Sequence, residues 1–343
     1  MIPETLSHRV RGLAFACAAT AIVGLAPLAA EAQQFTMKIG SPTIRSGLEE
    51  WTAILKKSLE ARTNGAIKVE GYPGSQLGAI PRMVEGVQLG TIEAAQIPPE
   101  FMSGVDERFG IFVSPGVLRN MDQGFRTLND PEFKAAFWPV GQDKGIVIMG
   151  HTCDGPVDWA TRNPIKTMDD IKGLKLRIFG SPIEREMLSR VGATGVPMPL
   201  DEVLPAIQRR SIDGNKAGIT VFVPFKYYDT TKYIWRPKES LICVLKFASK
   251  MWLDKLPANL RTAVIEEAGK ASHQVMPFAI KLVETQYEAW TKNGGEFTEF
   301  SADEQKRFLE RIATVGEVAL KDKPKATQLL NLLKKVAAKH TTS

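Results

Sequence analysis

The sequence has few of the residues that catalytic and metal sites use most. It contains three cysteines and four histidines in 343 residues. It has no G-x-S-x-G, no H-E-x-x-H and no glycine-rich phosphate loop, and no two carboxylates form an evident acid/base pair. His151 and Cys153 would share a strand face, but a metal site needs three or four ligands, so we expect a structural role for His151. The sequence therefore predicts no catalytic residues, no metal and no cofactor.

The chain also lacks any long segment of one charge. Lysine and arginine number 44 against 38 aspartates and glutamates, and the formal net charge is +6. The basic residues are scattered, and no basic run is interleaved with aromatic residues, which argues against binding to nucleic acid. A mild positive charge suits small anionic ligands or partners. A monomer is expected.

Long hydrophobic runs are absent except at the start of the chain. There, Arg9 and Arg11 precede the apolar run LAFACAATAIVGLAPLAA, and the small-x-small triplet from Ala30 to Ala32 follows it. This order of features is typical of a secretory signal peptide over residues 1–32, with an uncleaved N-terminal anchor as the alternative. The mature chain would begin near Gln33 and would be long enough for two lobes.

The hydrophobic patterns alternate between strands and helices. FTMKIG reads as a strand, Ser46 as the N-cap of a helix, and AIKVEGY as the next strand. The same order recurs around GIVIMG and GLKLRIFG, and a helical pattern from 257 to 293 has few breaks apart from Pro277. Strands that alternate with helices predict an α/β fold with parallel sheets.

Two cysteines remain after removal of the signal peptide. Cys153 and Cys243 could form one disulfide in an oxidising compartment, or they could be two buried thiols. The sequence leaves both possibilities open.

One arginine has a pattern that suits anion binding. In GLKLRIFG, alternation turns Leu174, Leu176 and Ile178 to one face and Arg177 to the other, together with Phe179. A guanidinium offers a planar fork of donors that grips a carboxylate through two parallel hydrogen bonds. Composition alone favours a solvated strand residue at Arg177 over a cation in a cleft.

Several motifs resemble one family of transport proteins. Five segments resemble, in the same order, those of the solute-binding proteins of TRAP transporters, the DctP-like family. They are TNGAIKVEGYPGSQLG, GTIEAA, DDIKGLKLRI, VGATGVPMPLDEVLPAIQRRSIDG and KMWLDKLPANLRTAVIEEAGKAS. The resemblance covers nearly the whole mature chain.

This resemblance implies a periplasmic, two-lobe α/β protein with a ligand cleft between the lobes and a long helix that spans both. It implies lobe I over 33–154 and 243–282, lobe II over 155–242 and 283–336, and a tail over 337–343. Such proteins capture an organic acid by hinge closure and deliver it to a membrane permease, and they are not enzymes. A module that presents the acid to a sensor kinase is the alternative, and permease genes or a sensor-kinase gene nearby would distinguish the two.

The resemblance also implies roles for individual residues. Arg177 falls on the arginine that grips the ligand carboxylate, while Lys216 and Ala217 stand where many members have glutamate and asparagine. Val157 stands where members that bind sugar acids have a second arginine, and Trp159 lies two residues further on. These departures favour an acid with an apolar or aromatic body, or a small carboxylate that engages Lys216, over a polyhydroxylated acid.

Three further residues are candidates for contact with the ligand. Gln76 could support the loop that follows the second strand, Arg82 could face the cleft from the start of a helix, and Phe179 could pack on the ligand body. Each has a plain structural alternative: Gln76 could stabilise its own loop, Arg82 could be solvated, and Phe179 could pack on a neighbouring helix. Trp159 could equally belong to the core.

Overall fold

A computed structural model describes residues 34–341 of the chain. The signal peptide predicted over 1–32 lies outside this range, as do the last residues of the predicted tail. Within residues 34–341, no helix combines the length and the apolar character needed to cross a membrane.

Eleven strands and twelve α-helices make up the described part of the chain. The strands are β1 (Phe35–Gly40), β2 (Ile67–Tyr72), β3 (Ala94–Ile97), β4 (Ile146–Pro156), β5 (Asp158–Thr161), β6 (Lys175–Ile178), β7 (Thr194–Pro197), β8 (Gly214–Ala217), β9 (Tyr233–Trp235), β10 (Leu241–Ser249) and β11 (Glu296–Thr298). The helices are α1 (Gly47–Arg62), α2 (Ile80–Leu89), α3 (Met121–Asn129), α4 (Pro131–Phe137), α5 (Pro182–Arg190), α6 (Leu200–Gln208), α7 (Ile219–Phe222), α8 (Lys250–Lys255), α9 (Ala258–Lys292), α10 (Ala302–Ile312), α11 (Val315–Ala319) and α12 (Pro324–Lys339).

The strands form two separate sheets. The first has the order β2-β1-β3-β10-β4, and the second has the order β11-β9-β5-β8-β6-β7. In the first sheet β1 is parallel to β2 and β3, whereas β10 is antiparallel to β3 and β4. In the second sheet β6 is parallel to β7 and β8. The chain passes from the first sheet to the second at β4–β5 and returns at β9–β10, so two strands connect the lobes.

Local sequence signals explain where the first helix begins. The Ser46 side chain accepts a hydrogen bond from the Leu48 N–H, and Glu49 and Glu50 lie in the first turn of α1. Cap and acidic residues satisfy free N–H groups and complement the helix dipole. The predicted N-cap is therefore present, and it fixes the start of α1 beside the carboxyl end of β1.

The longest helix joins the two lobes. Near its middle, the Ser272 hydroxyl of α9 accepts a hydrogen bond from the Trp51 indole of α1, at 3.1 Å. Further along, the Tyr287 hydroxyl donates to Asp158 of β5 at 2.7 Å. Because α9 packs on elements of both sheets, the predicted helix that spans both lobes is present, with Pro277 inside it.

Both cysteines lie on the pair of strands at the lobe junction. Cys153 of β4 is opposite Cys243 of β10 in the strand register. Both are buried free thiols, so the structure has the second of the two arrangements that the sequence left open.

The α/β prediction is confirmed, but the lobe boundaries are not defined by these contacts and stay a prediction. Helix α12, which the prediction divides between lobe II and the tail, packs on helices of the first lobe. The Gln123 side chain of α3 donates to the Ala337 carbonyl at 3.0 Å, and Lys335 pairs with Glu132 of α4.

Candidate functional site

A cavity lies between the two sheets and is lined from both. It encloses about 630 Å³ that protein atoms leave free, its open mouth included. The first lobe contributes residues at the carboxyl ends of β1 and β3, the second contributes residues after β6 and β8, and α9 closes one side with Ala279 and Leu282. The ends of parallel strands are where open α/β sheets bind ligands.

Arg177 of β6 lines this cavity and is only 1% exposed. Its Nε donates to the Met198 carbonyl at 2.9 Å. Its Nη1 lies 3.4 Å from both the Asn215 side-chain oxygen and the Lys216 carbonyl. These three bonds fix the plane of the guanidinium, which excludes the solvated alternative for this residue.

The other terminal nitrogen of Arg177 has no partner. Nη2 is buried and makes no hydrogen bond within the described part of the chain. Burial lowers the pKa of Arg177 to about 10, so the guanidinium remains charged at neutral pH. A buried guanidinium with neutral oxygen partners and an open donor has the chemistry that can accept a carboxylate.

Two aromatic rings hold the guanidinium from the cavity side. Its central carbon lies 4.8 Å from the ring centre of Phe179 and 5.2 Å from that of Phe101. The two rings are 5.2 Å apart and tilted by 45°. Phe179 belongs to the second lobe and Phe101 to the first, so the aromatic pair reaches across the cleft. Phe179 therefore lies where the prediction placed it, and its contact with ligand stays a prediction.

The end of β6 is held by a buried carboxylate. Glu184 of α5 accepts hydrogen bonds from the backbone N–H groups of Phe179, Gly180 and Ser181, at 3.2, 3.0 and 3.1 Å. Gly180 has φ +117°, a conformation that L side chains rarely adopt. Together these features end the strand sharply after Phe179 and fix the direction of its side chain.

The walls of the cavity are mostly apolar. Its polar side chains come from Thr43, Ser46, Asp154, Arg177 and Thr220, whereas most other lining residues are aliphatic or aromatic, among them Leu48, Ile80, Phe101, Phe179, Leu200, Val221, Ile242, Val244 and Leu282. The Thr43 and Ser46 hydroxyls are already bonded to each other at 2.8 Å. Few groups are left to bind the many hydroxyls of a sugar acid.

The ammonium of Lys216 does not face the cavity. It forms an ion pair with Glu239 at 3.0 Å, and both side chains are 2% exposed. The predicted contact with ligand is thus corrected: a cation buried on β8 needs a counter-ion, and Glu239 supplies it. Only the Lys216 carbonyl serves the site, as an acceptor for Arg177.

Trp159 and Val157 also lie in the core rather than in the cavity lining. Trp159 is fully buried and packs edge-on against Trp235, with ring centres 4.9 Å apart. Val157 is buried at the lobe junction, where its N–H donates to the Ser240 carbonyl at 3.0 Å. For Trp159 the core alternative holds, because its indole fills the space between β5 and the second-lobe aromatics.

The two remaining candidates are at the surface. The Arg82 side chain is 76% exposed and lies 3.8 Å from Glu85 on the same helix face. Gln76 is exposed in the turn after β2, where its N–H donates to the Pro73 carbonyl. Neither lines the cavity in this structure, so the solvated alternative holds for Arg82. The hydrogen bond of Gln76 comes from its backbone, and a role of its side chain in the loop stays a prediction.

Three residues of the site are absent from the predicted set: Phe101, Asp154 and Asn215. Asn215 is opposite Arg177 in the parallel register of β8 and β6, and its side-chain amide donates to the Tyr227 hydroxyl at 3.1 Å. Asp154 lies near the end of the mostly apolar strand β4, and a lone carboxylate there is a signal that the sequence does carry. Phe101 follows the strand TIEAAQI, but nothing in the sequence places it next to Phe179.

The structure has two α/β lobes joined by two connecting strands and a spanning helix, with a buried arginine in the cleft between them. These are the features of a protein that encloses a small ligand between its lobes. Residues 45–322 match the family of bacterial extracellular solute-binding proteins, family 7, also called DctP. The chain belongs to this family. Members are solute-binding proteins, which confirms both the expected family and the expectation that the protein is not an enzyme.

Relatives of known function bind different solutes. The chain is 25% identical over 283 residues to the 2,3-diketo-L-gulonate-binding periplasmic protein YiaO of Escherichia coli, covering 81% of this chain and 84% of the relative. It is 24% identical over 335 residues to the ectoine/5-hydroxyectoine-binding periplasmic protein UehA of Ruegeria pomeroyi, covering 91% and 96%.

Solved structures share the fold. A TRAP periplasmic solute-binding protein from Desulfovibrio salexigens with bound orotic acid superposes with a TM-score of 0.84 at 22% identity, covering 90% of this chain and 100% of that one. The sugar acid binding protein DctPAm from Advenella mimigardefordensis, in complex with galactonate, gives 0.82 at 21% identity, covering 89% and 99%. The predicted two-lobe fold is confirmed.

Proposed function

We propose that this protein captures an organic carboxylate in the cleft, with Arg177 as its anchor, and delivers it to the permease of a TRAP transporter. The observation that carries the proposal is the unpartnered Nη2 of Arg177, buried in the cavity on a guanidinium that three other bonds hold still. A fixed cation binds an anion without first losing its own conformational freedom.

The lining favours a compact acid with an apolar or aromatic body. Phe101 and Phe179 offer ring faces beside the guanidinium, and aliphatic side chains form most of the remaining wall. A ring stacked there buries apolar surface, at about 25 cal/mol per Å² removed from water. A polyhydroxylated acid would leave several hydroxyls without partners, which costs about 1–3 kcal/mol for each buried group.

Closure of the lobes follows from the position of the anchor. A ligand on Arg177 of the second lobe also touches Leu48 and Phe101 of the first, so it binds the closed arrangement better than an open one. Such a difference in affinity shifts the population towards the closed state.

The path of the protein in the cell belongs to the same proposal. We propose that residues 1–32 are removed on export, that the mature protein acts in the periplasm as a monomer, and that the lobes follow the boundaries predicted above except at α12, which packs with the first lobe. The family relationship supports this, since the family is described as extracellular.

A thermal-shift screen tests the proposed ligand class. The purified mature protein is heated with mono-, di- and aromatic carboxylic acids, each paired with its neutral primary amide. Bound ligand raises the melting temperature by mass action, so acids should raise it and their amides should not. Shifts by amides as large as those by acids would contradict carboxylate capture.

A further inference from the structure

A second ionisable group faces the cavity from the opposite lobe. Asp154 of β4 lines the same cavity as Arg177, and its buried Oδ1 has no hydrogen-bond partner among residues 34–341. A methyl group added at Gly47, another lining residue, would lie 3.7 Å from this oxygen. An unpaired buried acceptor is costly, so its place at a ligand cavity points to a donor on the ligand.

Behind Asp154 lies a buried lysine. Lys246 of β10 is fully buried, and its side-chain nitrogen lies 2.9 Å from the Thr152 hydroxyl and 5.3 Å from the ring centre of Trp51. Burial lowers the pKa of Lys246 to about 7. Burial also raises the pKa of Asp154, and the charge of Lys246 and the Thr152 hydroxyl act against that rise. Thr152 thus connects the buried lysine to the carboxyl group at the cavity wall.

The cleft therefore has an open donor on one side, Arg177 Nη2 on β6, and an open acceptor on the other, Asp154 Oδ1 on β4, with apolar residues between them. We propose that the ligand is an acid that also carries a nitrogen donor, an ammonium, amidinium or ring N–H group. Its carboxylate binds Arg177 and its N–H group donates to Asp154 Oδ1. This inference rests on the proposed function and narrows it to one class of acid.

The arrangement also disfavours other acids. An ionised carboxylate only accepts hydrogen bonds, so a second carboxylate on the ligand would meet Asp154 as a like charge in a site of low dielectric. An ether oxygen of the ligand at the same place would also be an acceptor, so it could not form a hydrogen bond with the Asp154 carboxylate. Only a donor satisfies both the ligand and the protein.

Matched acids that differ by one atom test the inference. Proline, pipecolate and pyrrole-2-carboxylate carry N–H where tetrahydrofuran-2-carboxylate, tetrahydropyran-2-carboxylate and furan-2-carboxylate carry oxygen. Isothermal titration of the mature protein should show a preference for the nitrogen member of the best-bound pair of roughly 10- to 100-fold, the range of a hydrogen bond to a charged group.

Two variants assign the preference to one side chain. Asp154→Asn keeps the shape of the side chain and removes its charge, and it should lower the affinity for the nitrogen acid while changing that for the oxygen acid little. Asp169→Asn is the control, since the Asp169 side chain is 82% exposed and is not among the cavity-lining residues. Thermal melts of both variants show whether the fold is kept.

The outcomes separate this inference from the proposed function. Equal or tighter binding of the oxygen acids, with the nitrogen preference absent, overturns the role of Asp154 and leaves carboxylate capture standing. A nitrogen preference that survives Asp154→Asn also overturns it. If none of the six acids binds while another acid from the thermal-shift screen does, the inference is overturned and carboxylate capture stands.

Discussion

Replacing Lys216 tests whether its ammonium stabilises the fold through Glu239 or contacts the ligand. The resemblance to the family predicts that Lys216 engages the ligand, whereas the structure has its ammonium 3.0 Å from Glu239, with both side chains 2% exposed. Replacing the lysine should therefore change stability and leave ligand affinity as it was.

The magnitude follows from what Lys216→Met leaves behind. Glu239 would be a buried carboxylate with no cation, and breaking a buried pair in this way costs about 3–5 kcal/mol of unfolding free energy. Burial raises the pKa of Glu239 even with Lys216 present. Without the lysine that pKa should rise further, so the folded variant should take up a proton more readily than its unfolded chain, and its deficit in stability should shrink as pH falls towards about 5.

Urea unfolding at pH 8 and pH 5 measures this effect, and the double variant Lys216→Met, Glu239→Leu is the control. Removing both charges from an apolar site is often neutral or stabilising, so the double variant should recover most of the loss. Calorimetry on each folded variant should give the affinity of the unmodified protein. A single variant that unfolds at the same urea concentration as the unmodified protein, yet binds the acid more weakly, would refute the assignment and restore Lys216 as a ligand contact.

Three further predictions concern groups outside the ion pair. Burial lowers the pKa of His151 to about 3, below the ordinary value of about 6.5. The unfolded chain therefore takes up a proton first, and the protein should lose stability as pH falls from 6.5 towards 3. Acid unfolding curves of His151→Asn should show a shallower loss. A thiol reagent should not react with the buried Cys153 and Cys243 in the folded mature protein. After unfolding without reductant it should detect two thiols per chain, and fewer than two would indicate a disulfide. In Glu184→Gln, the side-chain amide has one acceptor oxygen in place of two, so fewer of the three N–H groups at the end of β6 are satisfied. The variant should bind the acid more weakly through Arg177 and melt at a lower temperature. Unchanged affinity in calorimetry and an unchanged melting temperature would contradict the role of Glu184.

Sequence patterns within individual strands and helices predict most of the fold. The strand FTMKIG, the Ser46 cap and the long helix through Pro277 depend on residues close together in sequence, and the structure has them at or within two residues of the predicted places. The antiparallel pairing of β4 with β10 joins segments nearly a hundred residues apart. Nothing in either strand alone specifies that partner.

The residues of the site also differ in whether a local sequence pattern or a long-range pairing determines their position. Alternation along GLKLRIFG gave the correct face for Arg177, because a strand period of two is a local property. Lys216 lies on a strand too, but Glu239 reaches it from a later part of the chain, and no local pattern reveals that pairing. Asp154 is not evident from the sequence for a related reason, since Lys246 approaches Thr152 and Asp154 only through the pairing of β4 with β10.

The most direct test of the central claim is calorimetry on Arg177→Gln with the best acid from the screen. Arg82→Gln is the matched control, because that arginine is 76% exposed and lies outside the cavity lining. Loss of the buried cation should weaken binding by about 2–5 kcal/mol, while the control binds as before. Unchanged affinity in a folded Arg177→Gln protein would contradict the claim that this arginine anchors the ligand.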